Sequence, residues 1–300
     1  MFSGSLVAIV TPMLEAGELD LEAWERLLEL HLASGTSGIV VGGSTGESVA
    51  LGDAEQDTLL AHARRRVAGR LKLVAGVGGS STAVVVERVR ALATAGLDAL
   101  LVVTPAYNRP TQEGLYRHFA AVAAAASVPV LLYNVPGRTA VDLLPATVAR
   151  LAELPRIVGI KEAVGEAGRL RELLAAVPAG FDVLSGDDAT ACASVLAGAR
   201  GVISVTANVA PAAMAAAIGA ALRGERELAA QIDASLAPFH RELSLESNPI
   251  PVKWALAEMK LIKPGIRLPL TWLSAAAQPR VRAALRTALA AATVSQVRSA

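Results

Sequence analysis

Short runs of Val, Ile and Leu that end in Gly, Pro, Thr or Asn alternate along the chain with longer segments whose apolar positions recur at helical spacing. The short runs predict strands at Leu6–Val10, Gly38–Val41, Lys72–Ala75, Ala99–Val103, Val130–Tyr133, Ile157–Lys161, Asp182–Ser185 and Gly201–Val205. The longer ones predict helices at Leu21–Ser34, Ala54–Ala68, Ala83–Ala95, Gln112–Ala125, Leu144–Leu151, Glu166–Val177, Ala189–Leu196 and Pro211–Leu222. Strands that are each followed by a helix, eight times over, fit a (β/α)8 TIM barrel, which needs about 250 residues. A doubly wound α/β sheet is the alternative, but it opens with a Gly-rich dinucleotide loop, whereas Val10 runs into Thr11 and Pro12. Beyond about Gly224 the alternation stops, and Glu225–Leu243, Ile250–Met259 and Pro279–Ala292 read as helices without intervening strands. The expected organisation is a barrel catalytic domain over 1–224 and a C-terminal helical domain over 225–300.

Composition narrows the function. Of the 300 residues 53% are hydrophobic but only 3% aromatic, because alanine supplies much of the apolar content. Lys and Arg total 28 against 27 Asp and Glu, so there is no basic field of the kind that binds nucleic acid or anionic lipid. The longest apolar stretch, Phe119–Tyr133, is shorter than the ~18 residues of a membrane span and contains Pro129. The N-terminus lacks the basic region and cleavage site of a signal peptide, and the single Cys192 has no internal disulfide partner. A cytoplasmic protein with no nucleic-acid or membrane partner is expected. His31, His62, His118 and His240 lie on predicted helices without ligand spacing and read as surface or packing residues, not metal ligands. Cys192 reads as an inert buried thiol.

Barrel enzymes place their chemistry at the C-terminal ends of the strands. The sixth strand is apolar until Lys161, and period-two alternation puts Ile157, Gly159 and Lys161 on one face. If that face is inward the ammonium is desolvated, which favours the free amine able to attack a carbonyl and form a Schiff base. The ordinary reading of a strand-end lysine is a pairing with an acid. The fifth strand delivers Tyr133 and then Arg138 to the same rim, a phenol able to shuttle protons and a guanidinium able to grip a carboxylate. Taken singly, these would be a core-edge aromatic and a solvated loop charge. The second strand exits into Gly42-Gly43-Ser44-Thr45-Gly46-Glu47-Ser48, whose hydroxyls and amides suit a small carboxylate. It is not a P-loop, since Glu47 follows Gly46 where lysine is required. Asp187 and Asp188 at the seventh strand's exit read as caps of the helix that follows them, and Asn248-Pro249-Ile250-Pro251 as a helix-entry turn.

Gly43-Ser44-Thr45-Gly46-Glu47, the run from Tyr133 to Thr139, Gly159-Ile160-Lys161-Glu162-Ala163 and Ser185-Gly186-Asp187-Asp188 closely resemble the motifs of the dihydrodipicolinate synthase family. So do the stretches 104–116, 204–209 and 248–255, and the resemblance covers nearly the whole chain. Relatives in the wider pyruvate-dependent class I aldolase family, such as N-acetylneuraminate lyase, share the lysine and the Tyr-Asn-x-Pro core but lack an arginine equivalent to Arg138. The resemblance implies a lyase that joins pyruvate to aspartate semialdehyde in lysine and diaminopimelate synthesis, with no metal or organic cofactor. It implies that Lys161 forms the Schiff base and that Tyr133 is the general acid and base, linked through Ser44 to Tyr107 in a proton relay. Thr45 would hold the pyruvate carboxylate, the main chain of Gly186 and Ile203 would line the pocket, and Arg138 would hold the semialdehyde carboxylate. Tyr107 would cross the interface of a tight dimer, two of which form a homotetramer. A related aldolase or hydratase with another acceptor, or a non-catalytic ligand-binding paralogue, are the alternatives.

Two departures from the family pattern carry expectations. Ser44 stands where threonine is usual, keeping the hydroxyl but losing the methyl that restricts its rotamer. At positions where lysine-inhibited members carry histidines, an Asn, a Glu and a Tyr, this chain has Asp53 and Gln56, Ser80 and Val84, and Ala106. Feedback inhibition by lysine is therefore expected to be weak or absent.

Overall fold

The computed structural model describes residues 1–298. Its strands are β1 (Gly4–Ala8), β2 (Gly38–Val41), β3 (Lys72–Val77), β4 (Ala99–Val103), β5 (Val130–Asn134), β6 (Ile157–Glu162), β7 (Asp182–Ser185) and β8 (Gly201–Ser204). They run parallel in sequence order and close on themselves, with β1 paired to β8. The barrel helices are α1 (Leu21–Ala33), α2 (Asp53–Val67), α3 (Thr82–Ala91), α4 (Gln112–Ala125), α5 (Pro136–Thr139), α6 (Pro145–Ala152), α7 (Ala167–Ala176), α8 (Ala191–Leu196) and α9 (Pro211–Leu222). Three more follow: α10 (Arg226–Glu242), α11 (Ile250–Glu258) and α12 (Gln278–Arg298). Among the described residues no helix is long and apolar enough to cross a membrane.

Strand alternation divides the apolar side chains into two sets. Leu6, Ala8, Val40, Val74, Ala99, Leu101, Leu131, Tyr133, Leu184 and Ile203 fill the barrel interior, with Phe2 beside them. The opposite faces of the same strands pack against the helices in a second, larger core, to which α10 and α11 also contribute. Trp24, Leu27 and Leu28 on α1 and Leu115, Phe119 and Val122 on α4 show the helical spacing that makes this possible.

The first strand runs Gly4–Ala8, two residues earlier than the pattern predicts. The cause is Asn208, whose side chain accepts from Val10 N–H (2.9 Å) and donates to the Ala8 carbonyl (2.9 Å), replacing ladder bonds that β1 would otherwise continue. A second difference lies in β6. Val130 pairs with Ile157 and Leu131 with Gly159, so Val158 is the extra residue of a bulge. Ile157 therefore joins the outer core, Val158 packs against the interior, and the single-face grouping of Ile157 with Gly159 and Lys161 does not hold. The bulge resets the alternation so that Lys161 still faces inward, beside Tyr133 of β5 and Leu184 of β7.

Candidate active site

Lys161 is only 5% exposed, and its Nζ lies 4.4 Å from the centroid of the Tyr133 ring. Both follow from register, since the two residues are partners across β5 and β6 at the C-terminal end of the barrel. Gly186, just past β7, closes the other side: a Cβ there would sit 3.0 Å from Lys161 Cε and 3.0 Å from Ala163 Cβ. Ile203 on β8 is fully buried in the same interior cluster.

The turn after β2 brings Ser44, half-buried, and Thr45, buried, to the rim. Glu47 in that turn has a left-handed backbone (φ 57°), unusual for a residue with a Cβ. Its carboxylate is held on both oxygens: Lys253 Nζ of α11 donates to Oε1, and the Arg267 amide donates to Oε2 (3.3 Å). Lys253 is fully buried, and burial pushes its ammonium below the usual lysine range against the opposing pull of Glu47. Arg267 also binds Glu55 on α2, holding that carboxyl down to about 2.

The residue after Lys161 points the other way, out toward the helices. Glu162 accepts from Asn134 (3.1 and 3.0 Å), from the Val164 amide (2.8 Å) and from Arg169 (3.4 Å). Arg169 binds Asp142 through both terminal nitrogens, and Asn134 donates to Asp142 as well. Burial raises the Glu162 pKa, opposed by these donors, while the Arg169 guanidinium lowers that of Asp142. This knot stands directly behind the Tyr133 and Lys161 pair.

Arg138 sits on α5, a single turn that the sequence pattern does not predict; Pro136 opens it, and Thr104 and Thr139 bond beneath it at 3.1 Å. The guanidinium is exposed and donates to the Asn248 carbonyl (2.9 Å). The Asn248 side chain in turn donates to Thr45 Oγ1 (2.9 Å). The structure thus brings together Lys161, Tyr133, Thr45, Gly186 and Ile203 around one mouth, with Ser44 and Arg138 at its edge. Tyr107 stays apart: it is 94% exposed, with a left-handed backbone (φ 76°), on the loop after β4. Among the described residues no hydrogen bond joins Ser44 to Tyr133 or Tyr107.

The aspartates after β7 do not cap the helix that follows them. Asp188 reaches across to β8 and accepts from the amides of Val205 (2.9 Å) and Thr206 (2.8 Å), while Asp187 accepts the Thr190 hydroxyl (2.6 Å). Sequence reading also missed what Asn248, Glu47 and Lys253 do. The available signal was Lys253 itself, a lone charge in the apolar run Ile250–Leu256. Cys192 is buried, and burial with nearby Asp233 pushes its thiol up to about 12.

A closed parallel barrel with an amine and a phenol face to face at the C-terminal ends of adjacent strands is the architecture of a (β/α)8-barrel enzyme. Residues 1–288 match the model of the dihydrodipicolinate synthetase family. The chain is 52% identical, over 96% of its length and 99% of the relative's, to a 4-hydroxy-tetrahydrodipicolinate synthase of Methylococcus capsulatus. Its fold superposes with a TM-score of 0.94 on a dihydrodipicolinate synthase of Acinetobacter baumannii crystallised with pyruvate, at 47% identity over 96% of this chain and 99% of that one. The 4-hydroxy-tetrahydrodipicolinate synthase of Methylacidiphilum fumariolicum matches at a TM-score of 0.95 and 39% identity over 99% of both chains. This chain belongs to the dihydrodipicolinate synthetase family.

Proposed function

We propose that the chain condenses pyruvate with L-aspartate 4-semialdehyde through a Schiff base on Lys161, giving 4-hydroxy-tetrahydrodipicolinate for lysine and diaminopimelate synthesis in the cytoplasm. The observation that carries this reading is the inward, buried Lys161 beside Tyr133 at the barrel mouth. Lys161 Nζ attacks the ketone carbon of pyruvate, and the carbonyl oxygen leaves as water with Tyr133 moving the protons. The resulting iminium draws electrons from the methyl group, which loses a proton and becomes an enamine. The enamine carbon attacks the aldehyde carbon. The semialdehyde's amine then attacks the carbon bound to Lys161, closing the ring and releasing the lysine. Thr45 and the amides of its turn hold the pyruvate carboxylate, Gly186 and Ile203 shape the pocket, and Arg138 takes the acceptor's carboxylate.

Tyr107 completes the relay through Ser44 only from a neighbouring subunit, in a tight dimer that pairs into a tetramer. Supporting this, Val49 after β2, Val84 in the first turn of α3 and Tyr107 on the loop after β4 are 100%, 59% and 94% exposed. The β3 and β4 loops are themselves joined: Ser80 donates to the Ala106 carbonyl (2.9 Å) and Asn108 to that of Ser80 (2.8 Å). Sedimentation at micromolar concentration should give the tetramer mass, and a monomer would sink the shared relay.

Lysine should inhibit weakly or not at all. Ser80 is committed to Ala106, Gln56 donates to the Gly76 carbonyl, and Asp53 faces Arg88, while Val84 and Ala106 offer neither a carboxylate for an ammonium nor an aromatic wall for its alkyl chain. Inhibition at sub-millimolar lysine in a steady-state assay would refute this.

The deciding experiment is borohydride reduction with pyruvate, followed by peptide mapping, alongside a coupled assay with aspartate semialdehyde. A reduced adduct on Lys161 with turnover of the semialdehyde is expected. An adduct without turnover would move the assignment to an aldolase with another acceptor, and folded protein without an adduct would leave a non-catalytic protein.

A further inference from the structure

Two attachments reach the Ser44-Thr45 turn from beyond the barrel. Asn248 donates to Thr45 Oγ1, and five residues later Lys253 donates to Glu47, both partners being 2% exposed or less. The second attachment is an ion pair removed from water, which keeps its geometry only while both partners stay in place. It accounts for the left-handed backbone of Glu47, a conformation that persists where its surroundings over-determine it. The segment that begins at Asn248 is thereby fixed to the turn. A third contact leaves from the same residue, since the Asn248 carbonyl accepts from Arg138.

We propose that Asn248 is a positioning residue that couples the two substrate sites: its side chain sets Thr45 while its carbonyl sets Arg138. The coupling rests on the reading in which Thr45 binds pyruvate and Arg138 binds the acceptor. When the Asn248 amide donates to Thr45 Oγ1, the threonine's single proton is left to point at a bound carboxylate. Asn248 Oδ1 is buried with no hydrogen-bond partner, so the side chain is fixed through its amide nitrogen and not through a second bond. If the donation to Thr45 is lost, the Asn248 main chain is held less firmly and the guanidinium loses its fixed acceptor. A side chain that touches one site therefore controls affinity at both.

The test is steady-state kinetics on Asn248→Ala and on the near-isosteric Asn248→Asp, which cannot donate to Thr45, with either substrate varied. In Asn248→Ala, KM for pyruvate and KM for aspartate semialdehyde should each rise by about tenfold, with kcat within about threefold of wild type. Borohydride should still trap Lys161 completely at saturating pyruvate. In a Thr45→Val background Asn248→Ala should raise the pyruvate KM by no more than about twofold, because the bond it removes is already gone. Asn248→Asp should raise both KM values further, and it carries the test if the alanine variant does not fold. An unmoved semialdehyde KM would overturn the coupling, as would additive losses in the double variant or a lowered kcat with both KM values unchanged. Wild-type protein that fails to turn over the two substrates would instead overturn the proposed function.

Discussion

Lys161 works at the centre of this site only because its neighbours leave its stem room. Gly186 is the clearest case, since its φ is not in the left-handed region and the constraint is purely the 3.0 Å approach of its missing Cβ to Lys161 Cε and to Ala163. Adding that one carbon in Gly186→Ala overpacks the pocket by the lysine, a change that costs about 1–3 kcal/mol in a well-filled interior. The Lys161 stem is the neighbour that can move, whereas Ala163 Cβ and its backbone Cα, 3.1 Å away, cannot. We expect kcat/KM for pyruvate to drop by about tenfold or more, with slower borohydride trapping, and urea denaturation to show a loss of about 1–3 kcal/mol. Trapping at the wild-type rate would show that the lysine has slack. At this scale the placement of the candidate residues was legible in the sequence: Lys161, Tyr133 and the Ser44-Thr45 turn each stand at the end of a strand-like run, where barrel chemistry is expected. Asn248 was not, because its meaning lies in a partner 203 residues away.

Among elements, the pair β5 and β6 carries most of the geometry. Tyr133 and Lys161 face in, and the next residues, Asn134 and Glu162, face out into the knot with Asp142 and Arg169. Arg169 is the cation that makes two neighbouring carboxylates tolerable there. Arg169→Met leaves Glu162 buried with only Asn134 and the Val164 amide, and the side chain of Asp142, about a third exposed, turns to water. A loss of about 2–3 kcal/mol by urea denaturation is expected, below the full cost of breaking a buried pair because Asp142 is partly solvated. Several-fold lower kcat/KM should accompany it, and unchanged stability would show that the knot is solvated. The alternation of runs predicted all eight strands and, apart from the single turn α5, the helices between them, because each strand is bounded by residues that end it. It missed the bulge at Val158, which is defined by pairing with β5 and not by the residues of β6, and it misplaced β1, whose end is set by the side chain of Asn208, beside it in space but 198 residues on from Val10 in sequence.

Across the whole molecule, stability should fall on mild acidification for a reason the barrel's helices supply. His31 on α1 is completely buried, hydrogen-bonded to Thr36 (3.0 Å), and burial lowers its pKa from 6.5 to about 3. His118 on α4, beside Thr82, is lowered by burial to about 4. In the unfolded chain both bind protons below about pH 6.5, while the folded protein keeps them neutral. Their contribution is therefore complete above that pH and drains away as the pH falls toward 4 and 3. Glu55, held down by Arg267, acts in the same direction only below its ordinary value of 4.5. Glu162 acts oppositely, since its raised pKa favours the folded state below 4.5 and that share is lost as the pH rises through its folded value. Between pH 6.5 and 5 the histidines therefore dominate, and at about 1.4 kcal/mol per pKa unit each withdraws roughly 2 kcal/mol at most. Urea denaturation at pH 7.5 and pH 5 should show a fall of about 2–4 kcal/mol. His31→Gln should be less stable than wild type at pH 7.5, yet its fall to pH 5 should be smaller by about 2 kcal/mol. An equal fall in the two proteins would mean that His31 is not the group through which acid loosens the barrel.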